Sequence, residues 1–199
     1  MFSVLSSSVC EISVLSSRFI AMIFPLDKKE DVDSFLATSK NKYPKASHYC
    51  YAVHIGEYEY CSDDGEPSHS AGLPILNSLR SGELDHVMIV VIRYFGGTKL
   101  GLPRLTKAYR DVSKSVVNEA NKVELISGIK AKITLDYSSF EAFKRMANRK
   151  GISIKNPVFE TKVSFFAIGS DKILLPLIKE LEDKVISTEN VLIKLGVKE

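Results

Sequence analysis

The sequence lacks most of the features that would disclose a chemistry at once. It has three cysteines, Cys10, Cys50 and Cys61, an odd number without a C-x-x-C pair. That argues against a disulfide framework and suits a reducing, cytoplasmic setting. No segment approaches the ~20 apolar residues that a membrane-spanning helix needs, so no membrane partner is expected. Met1 to Ile20 has no basic n-region and no unbroken apolar run, because Glu11 interrupts it, so it does not read as a secretory signal. The G-x-x-x-x-G-K-[ST] phosphate loop and the G-x-S-x-G nucleophile elbow are both missing, so neither nucleoside triphosphate binding nor elbow-type acyl transfer is implied. A net charge of +3 is too small to identify a partner by itself.

What is present is ordinary in bulk and uneven in detail. Apolar residues make up 45% and charged residues 26%, a soluble globular composition. The 199 residues suffice for one large domain or two small ones, each with its own core. Charge, however, is concentrated. Between Arg93 and Lys122 there are seven basic residues against two acidic ones, a local charge of +5, which leaves the rest of the chain at −2.

The periodicities predict a mixed chain. Ile12 to Phe24 reads as one or two strands closed by Pro25, and Lys29 to Lys42 as a helix that stops near Tyr43-Pro44. His48 to Ile55 alternates strictly, with His48, Cys50, Ala52 and His54 on one face, and Tyr58 to Cys61 follows as its neighbour after Gly56. A helix after Ser70 ends at Ser81-Gly82, with Pro74 tolerable in its first turn. Val87 to Ile92 is a continuous apolar run, the mark of a central strand covered on both faces. Leu105, Ala108, Tyr109, Val112, Val116 and Ala120 form a helical stripe, with Lys107, Arg110 and Lys114 on the opposite side. The boundary is expected at 127/128. Beyond it, a strand at Ile129 to Leu135, a helix capped by Ser138-x-x-Glu141 and ended by Gly151, strands Ile152 to Lys155 and Val158 to Ile168 joined at Asn156-Pro157, a helix near Lys172 to Lys184 and a last strand from Val191 give β-α-β-β-α-β. The expected class is α+β: an N-terminal two-layer α/β domain, 1–127, and a ferredoxin-like βαββαβ domain, 128–199.

The chemistry-bearing residues gather between Cys61 and Tyr109. Ile92 to Tyr109 is a strand, a glycine loop and a helix start. Free N–H groups and the helix dipole there attract anions, Gly96, Gly97 and Gly101 permit close approach, and Lys99 and Arg104 add charge. A tight strand-to-helix connection accounts equally well for the glycines. Asp63, Asp64 and Glu66 are clustered carboxylates that could hold Mg²⁺ or share a proton, or form a capped turn that salt-bridges a neighbour such as Arg93. The turn is the favoured reading. His48, Cys50, His54 and Cys61 match no common zinc spacing, so no metal and no cofactor is expected. His69 beside Ser68 and Ser70 suits a general base only weakly, and Tyr49, Tyr51, Tyr94 and Phe95 fit a core better than base stacking. The stripe Lys107, Arg110, Lys114 offers phosphate contact without sequence readout, or simply a solvated face.

Ser17-Arg18-Phe19-Ile20-Ala21, His48-x-Cys50-x-Ala52, Ser62-Asp63-Asp64-Gly65-Glu66-Pro67 with Ala71-Gly72-x-Pro74, and Arg93-Tyr94-Phe95-Gly96-Gly97 through Leu100-Gly101 to Ala108-Tyr109 together resemble the IMPACT family, in its bacterial YigZ-like branch. The resemblance implies an N-terminal fold like the second domain of a small-subunit ribosomal protein and a ferredoxin-like C-terminal domain. The pairing looks like consecutive domains of elongation factor G, which implies nucleic-acid or ribosome contact. Eukaryotic relatives regulate translation by competing for an activator of a stress kinase, partly through a further domain absent from this sequence, so that role is not carried over. Leu102-Pro103-Arg104-Leu105 departs from the small residues usual after Leu100-Gly101, and Ser70 stands for the usual threonine.

The leading expectation is a translation-linked regulatory protein that binds RNA, the ribosome or a protein partner through Arg93, Gly96, Gly97, Lys99, Arg104, Lys107 and Arg110, with Asp63, Asp64 and Glu66 as a signature turn and no catalytic residue assigned. The alternative is an enzyme acting on a phosphorylated or acidic small molecule, using the Asp63/Asp64/Glu66 turn and the Gly96–Gly101 loop.

Overall fold

A computed structural model describes residues 1–195. The chain divides into two compact units, Met1–Val123 and a second from Glu124 onward, a few residues ahead of the expected boundary.

In the first unit, β1 (Phe2–Val4) precedes β2 (Ser8–Val14), β3 (Ser17–Pro25), α1 (Val32–Lys42), β4 (His48–Ile55), β5 (Tyr58–Ser62), α2 (Gly72–Ser81), β6 (Val87–Tyr94) and α3 (Leu102–Glu119). A single turn of 3-10 helix, Lys29–Asp31, leads into α1. The sheet order is β2-β3-β6-β4-β5, antiparallel throughout, so the apolar β6 is the central strand. Every residue from Val87 to Arg93 is buried.

Strand alternation sorts the core. Phe19, Ala21, Cys50, Ala52, Ile89 and Val91 face α2 and α3, while Ile20, Met22, Phe24, Met88, Val90 and Ile92 face Val32, Phe35 and Leu36 on the side of α1. The α2/α3 side gives the expected sheet-and-helix pair, and α1 covers part of the second face, as a strand without polar positions requires. Each large apolar side chain among them contributes roughly 1.5–3 kcal/mol by leaving water. The short β1 has too few residues to show a period. Hydrogen bonds from Phe2 N–H to the Glu83 carbonyl and from Asp85 N–H to the Phe2 carbonyl, at 3.0 and 2.8 Å, hold it.

In the second unit, β7 (Lys122–Leu135) begins in the first unit and is followed by α4 (Tyr137–Lys150), β8 (Ser153–Phe159), β9 (Val163–Ser170), α5 (Asp171–Glu180) and β10 (Val185–Lys194). The order β10-β7-β9-β8, antiparallel throughout, is that of a ferredoxin-like sheet. Three local expectations are corrected. Asn156-Pro157 does not join two strands. It lies inside the edge strand β8 at a register shift between Lys155 and Val158, where a proline's missing donor is tolerated, and the turn comes later, at Glu160 to Lys162. The cap of α4 is Asp136, which accepts from Ser139 N–H at 2.7 Å, instead of Ser138. Gly128 does not interrupt β7. Its missing side chain admits Ile193, which lies 3.0 Å from where a Cβ would stand.

Candidate functional site

The acidic turn leaves β5 and folds back over four elements, which its three carboxylates tie down between them. Asp63 accepts backbone N–H groups of His69, Ala71 and Gly72 at 2.8, 2.9 and 2.8 Å, so it caps the start of α2 from a distance. Burial pushes its carboxyl upward, but the three donors outweigh that and hold it below the usual value. Asp64 accepts from Tyr49 N–H at 2.6 Å, and its carbonyl meets His48 Nδ1 at 2.7 Å, which fixes the first residues of β4. Gly72 packs on the Ser62 backbone, 2.9 Å from where a Cβ would be, so only glycine fits there.

Glu66 reaches furthest in. Arg93 Nη1 donates to its Oε1 at 2.6 Å and the Tyr109 hydroxyl donates to the same oxygen at 2.8 Å, with all three residues buried. His48 Nε2 stands 3.9 Å from the other oxygen. The Cys50 thiol donates to the Asp63 carbonyl at 3.0 Å and contacts the Tyr109 hydroxyl at 3.3 Å. Burial pushes both the Cys50 thiol and the Tyr109 hydroxyl well above their usual ranges, so both keep their protons and act as donors. Arg93 stands 5.4 Å from each of the Phe19 and Phe95 ring centroids. The motif thus joins α2, β4, β6 and α3 through one polar network centred on the buried Glu66.

Arg93 is therefore not a surface phosphate contact. It is 5% exposed and its charge is spent on Glu66. Gly96 is likewise turned to the protein's own backbone: a Cβ there would stand 1.8 Å from the Ser16 carbonyl, in the turn between β2 and β3. Gly97, at φ +84°, has open space around it. Lys99, Arg104, Lys107, Arg110 and Lys114 are all exposed. Asp111 sits among them, paired with Lys107 and 3.8 Å from Arg110 Nε, whereas Lys99, Arg104 and Lys114 make no ion pair among the described residues. Gly101, at φ +74°, leads into α3, which has Pro103 in its first turn and no acidic side chain there.

Several of the remaining candidates are drawn into the fold, whereas His69 stays exposed and Phe95, expected in the core, is exposed as well. His54 Nδ1 meets the Leu84 carbonyl at 2.6 Å, and Ser70 Oγ donates to the Pro67 carbonyl at 2.6 Å. Tyr49 donates its hydroxyl to the Tyr43 carbonyl at 2.7 Å. Among the described residues no three His, Cys, Asp or Glu side chains are grouped to hold a metal ion. Of the six carboxylate oxygens in the turn, four accept from protein donors: both of Asp63, one of Asp64 and one of Glu66. In sequence Tyr109 reads only as one residue of an apolar stripe. Its signal was the hydroxyl, which a buried position must satisfy.

A sheet-and-helix unit locked by an acidic turn with its glutamate buried, followed by a ferredoxin-like unit, defines a two-domain α+β protein. Residues 15–117 match the Impact N-terminal domain, just over half of the sequence, and the chain belongs to the IMPACT family. It is similar to an IMPACT family member of Thermus thermophilus, 40% identical over 113 residues that cover 57% of this chain and 62% of the relative. It is also similar to the IMPACT family member YigZ of Escherichia coli strain K12, 37% identical over 101 residues that cover 48% of this chain and 50% of the relative. These matches span about half to three-fifths of the relatives' lengths. A solved structure described as a hypothetical protein shares the fold over 98% of both chains, with a TM-score of 0.67 at 22% identity.

Proposed function

We propose that this protein is a translation-linked regulator that binds RNA or the ribosome through the exposed basic face of α3 and the loop before it. Lys99, Arg104, Lys107, Arg110 and Lys114 are the contacts, with Gly97 giving the backbone freedom to approach. The observation that carries this reading is the separation of charge. Of the signature carboxylates, Glu66 is buried against Arg93 while Asp63 and Asp64 are held by backbone donors, and the cations that follow remain on the surface. Such a face suits phosphate backbones, which reward cations whatever the base sequence. The family's implied link to translation supports the choice of ligand, and it carries with it a cytoplasmic site of action. No helix among the described residues is long and apolar enough to cross a membrane. Asp111 tempers the face without reversing its sign.

Filter binding of the full chain to RNA across a salt series tests the proposal. Five phosphate contacts give a log–log slope of about −3.5, and so a loss of roughly a hundredfold between about 50 and 200 mM salt. Lys107→Glu/Arg110→Glu should weaken binding and flatten the slope. No binding at low salt, or unchanged affinity in that variant, overturns it.

A further inference from the structure

The two faces of the β10-β7-β9-β8 sheet differ in what covers them. Ala131, Ile133, Phe165 and Ala167 point to the face packed by Phe140 of α4 and Leu174 of α5. The alternate residues, Lys130, Lys132 and Thr134 of β7 with Ser164, Phe166 and Ile168 of β9, point the other way and stay half-exposed. Phe166 stands in the middle of that second face. The register places Lys132 directly opposite it on β7 and Lys155 directly opposite it on β8. Lys130 Nζ lies 4.9 Å from the ring centroid and pairs with Glu189 of β10 at 2.6 Å. Lys132 and Lys155 make no ion pair among the described residues, and one acid against three lysines leaves the face positive.

An aromatic ring partly open to solvent, with an unpaired cation on the strand to each side, matches one kind of ligand closely. A protein interface core is depleted in lysine, so this arrangement fits it poorly. A single nucleic-acid strand presents flat bases and regularly spaced phosphates. Neighbouring strands are about 4.8 Å apart, so both lysines stand within reach of the phosphates that flank a base stacked on Phe166. We infer that this open sheet face binds single-stranded RNA, with a base stacked on Phe166 and phosphates held by Lys132 and Lys155. The ligand class rests on the RNA-binding reading above, but the surface is a separate one on the second unit.

Fluorescence anisotropy of the full chain tests it, using a fluorescein-labelled oligouridylate of about 12 nucleotides, within the range that such sites occupy. A duplex RNA and a labelled polyglutamate peptide serve as comparison probes. Phe166→Ala should weaken oligouridylate binding about 5- to 100-fold and leave duplex binding unchanged. Phe166→Tyr keeps the stacking face and should bind as the parent does, whereas Phe166→Leu, apolar without that face, should bind as the alanine variant does. Normal oligouridylate binding by a folded Phe166→Ala overturns the inference, as does an equal loss towards polyglutamate. The two surfaces fail separately. Loss only in Lys107→Glu/Arg110→Glu refutes the sheet face and keeps α3. Loss only in Phe166→Ala refutes α3 and keeps the sheet face.

Discussion

The acidic turn and the basic face of α3 are separated by fewer than forty positions, yet their charges meet opposite fates. In the turn, every carboxylate finds a donor, and Glu66 is carried inside with Arg93 and Tyr109. On α3 the cations stay in water, and the one ion pair of close geometry is a surface contact between Lys107 and Asp111. Buried and exposed charges obey different energetics. A buried pair is expensive to break because the survivor is stranded in a low-dielectric interior, whereas an exposed pair contributes little. Charges that anchor a fold and charges that meet a ligand therefore separate by their cost of removal.

Removing Glu66 should produce the largest effect. Glu66→Ala leaves the Arg93 guanidinium buried without its acid and the Tyr109 hydroxyl without an acceptor, so a loss of about 3–5 kcal/mol is expected in denaturant unfolding. Next comes Gly96→Ala, whose Cβ meets the Ser16 carbonyl and forces two backbone segments apart, at about 1–3 kcal/mol. Gly97→Ala, in open space, suffers only the positive-φ penalty of about 1–2 kcal/mol, so the two adjacent glycines should be separable by their melting temperatures.

Asp63→Asn sharpens the comparison through pH. Its carboxyl is held below the ordinary value of 3.8, so its contribution is complete above that value and is lost as pH falls through the lower folded value. The stability gap between parent and variant, about 1–2 kcal/mol near neutrality after allowing for partial exposure, should close below about pH 4. Lys107→Glu/Arg110→Glu has the smallest structural effect. Both side chains are solvated, so unfolding should shift by no more than about 0.5 kcal/mol while RNA affinity drops.

Much of the fold was legible because long segments carried a clear period. The stripe of α3 and the apolar run of β6 appear in the structure where the sequence indicates. The turn was legible as a turn, and Arg93 could be named as its partner. What the sequence left open was direction. Nothing in the pattern distinguishes an arginine at a strand's end that points inward from one that points outward, so Arg93 fits both roles. Gly96 and Gly97 look alike in sequence, and only the approach of Ser16, eighty positions earlier, tells them apart. Asn156-Pro157 misled because proline marks a turn by local rules, whereas here an edge strand absorbs it as a bulge. Phe166 was hidden inside Val158 to Ile168, where the alternation that separates it from Phe165 has no meaning until one face is known to be covered.

The measurement that bears most directly on this contrast is the RNA affinity of Glu66→Gln in the full chain. Glutamine keeps an acceptor for Arg93 and Tyr109, so the fold should survive while the turn's inner charge is gone. If the turn anchors the structure and α3 meets the ligand, the folded variant should bind RNA within about twofold of the parent, a change of only ~0.4 kcal/mol. A tenfold or greater loss, with the native melting transition intact, would put the acidic turn inside the binding site and contradict the account.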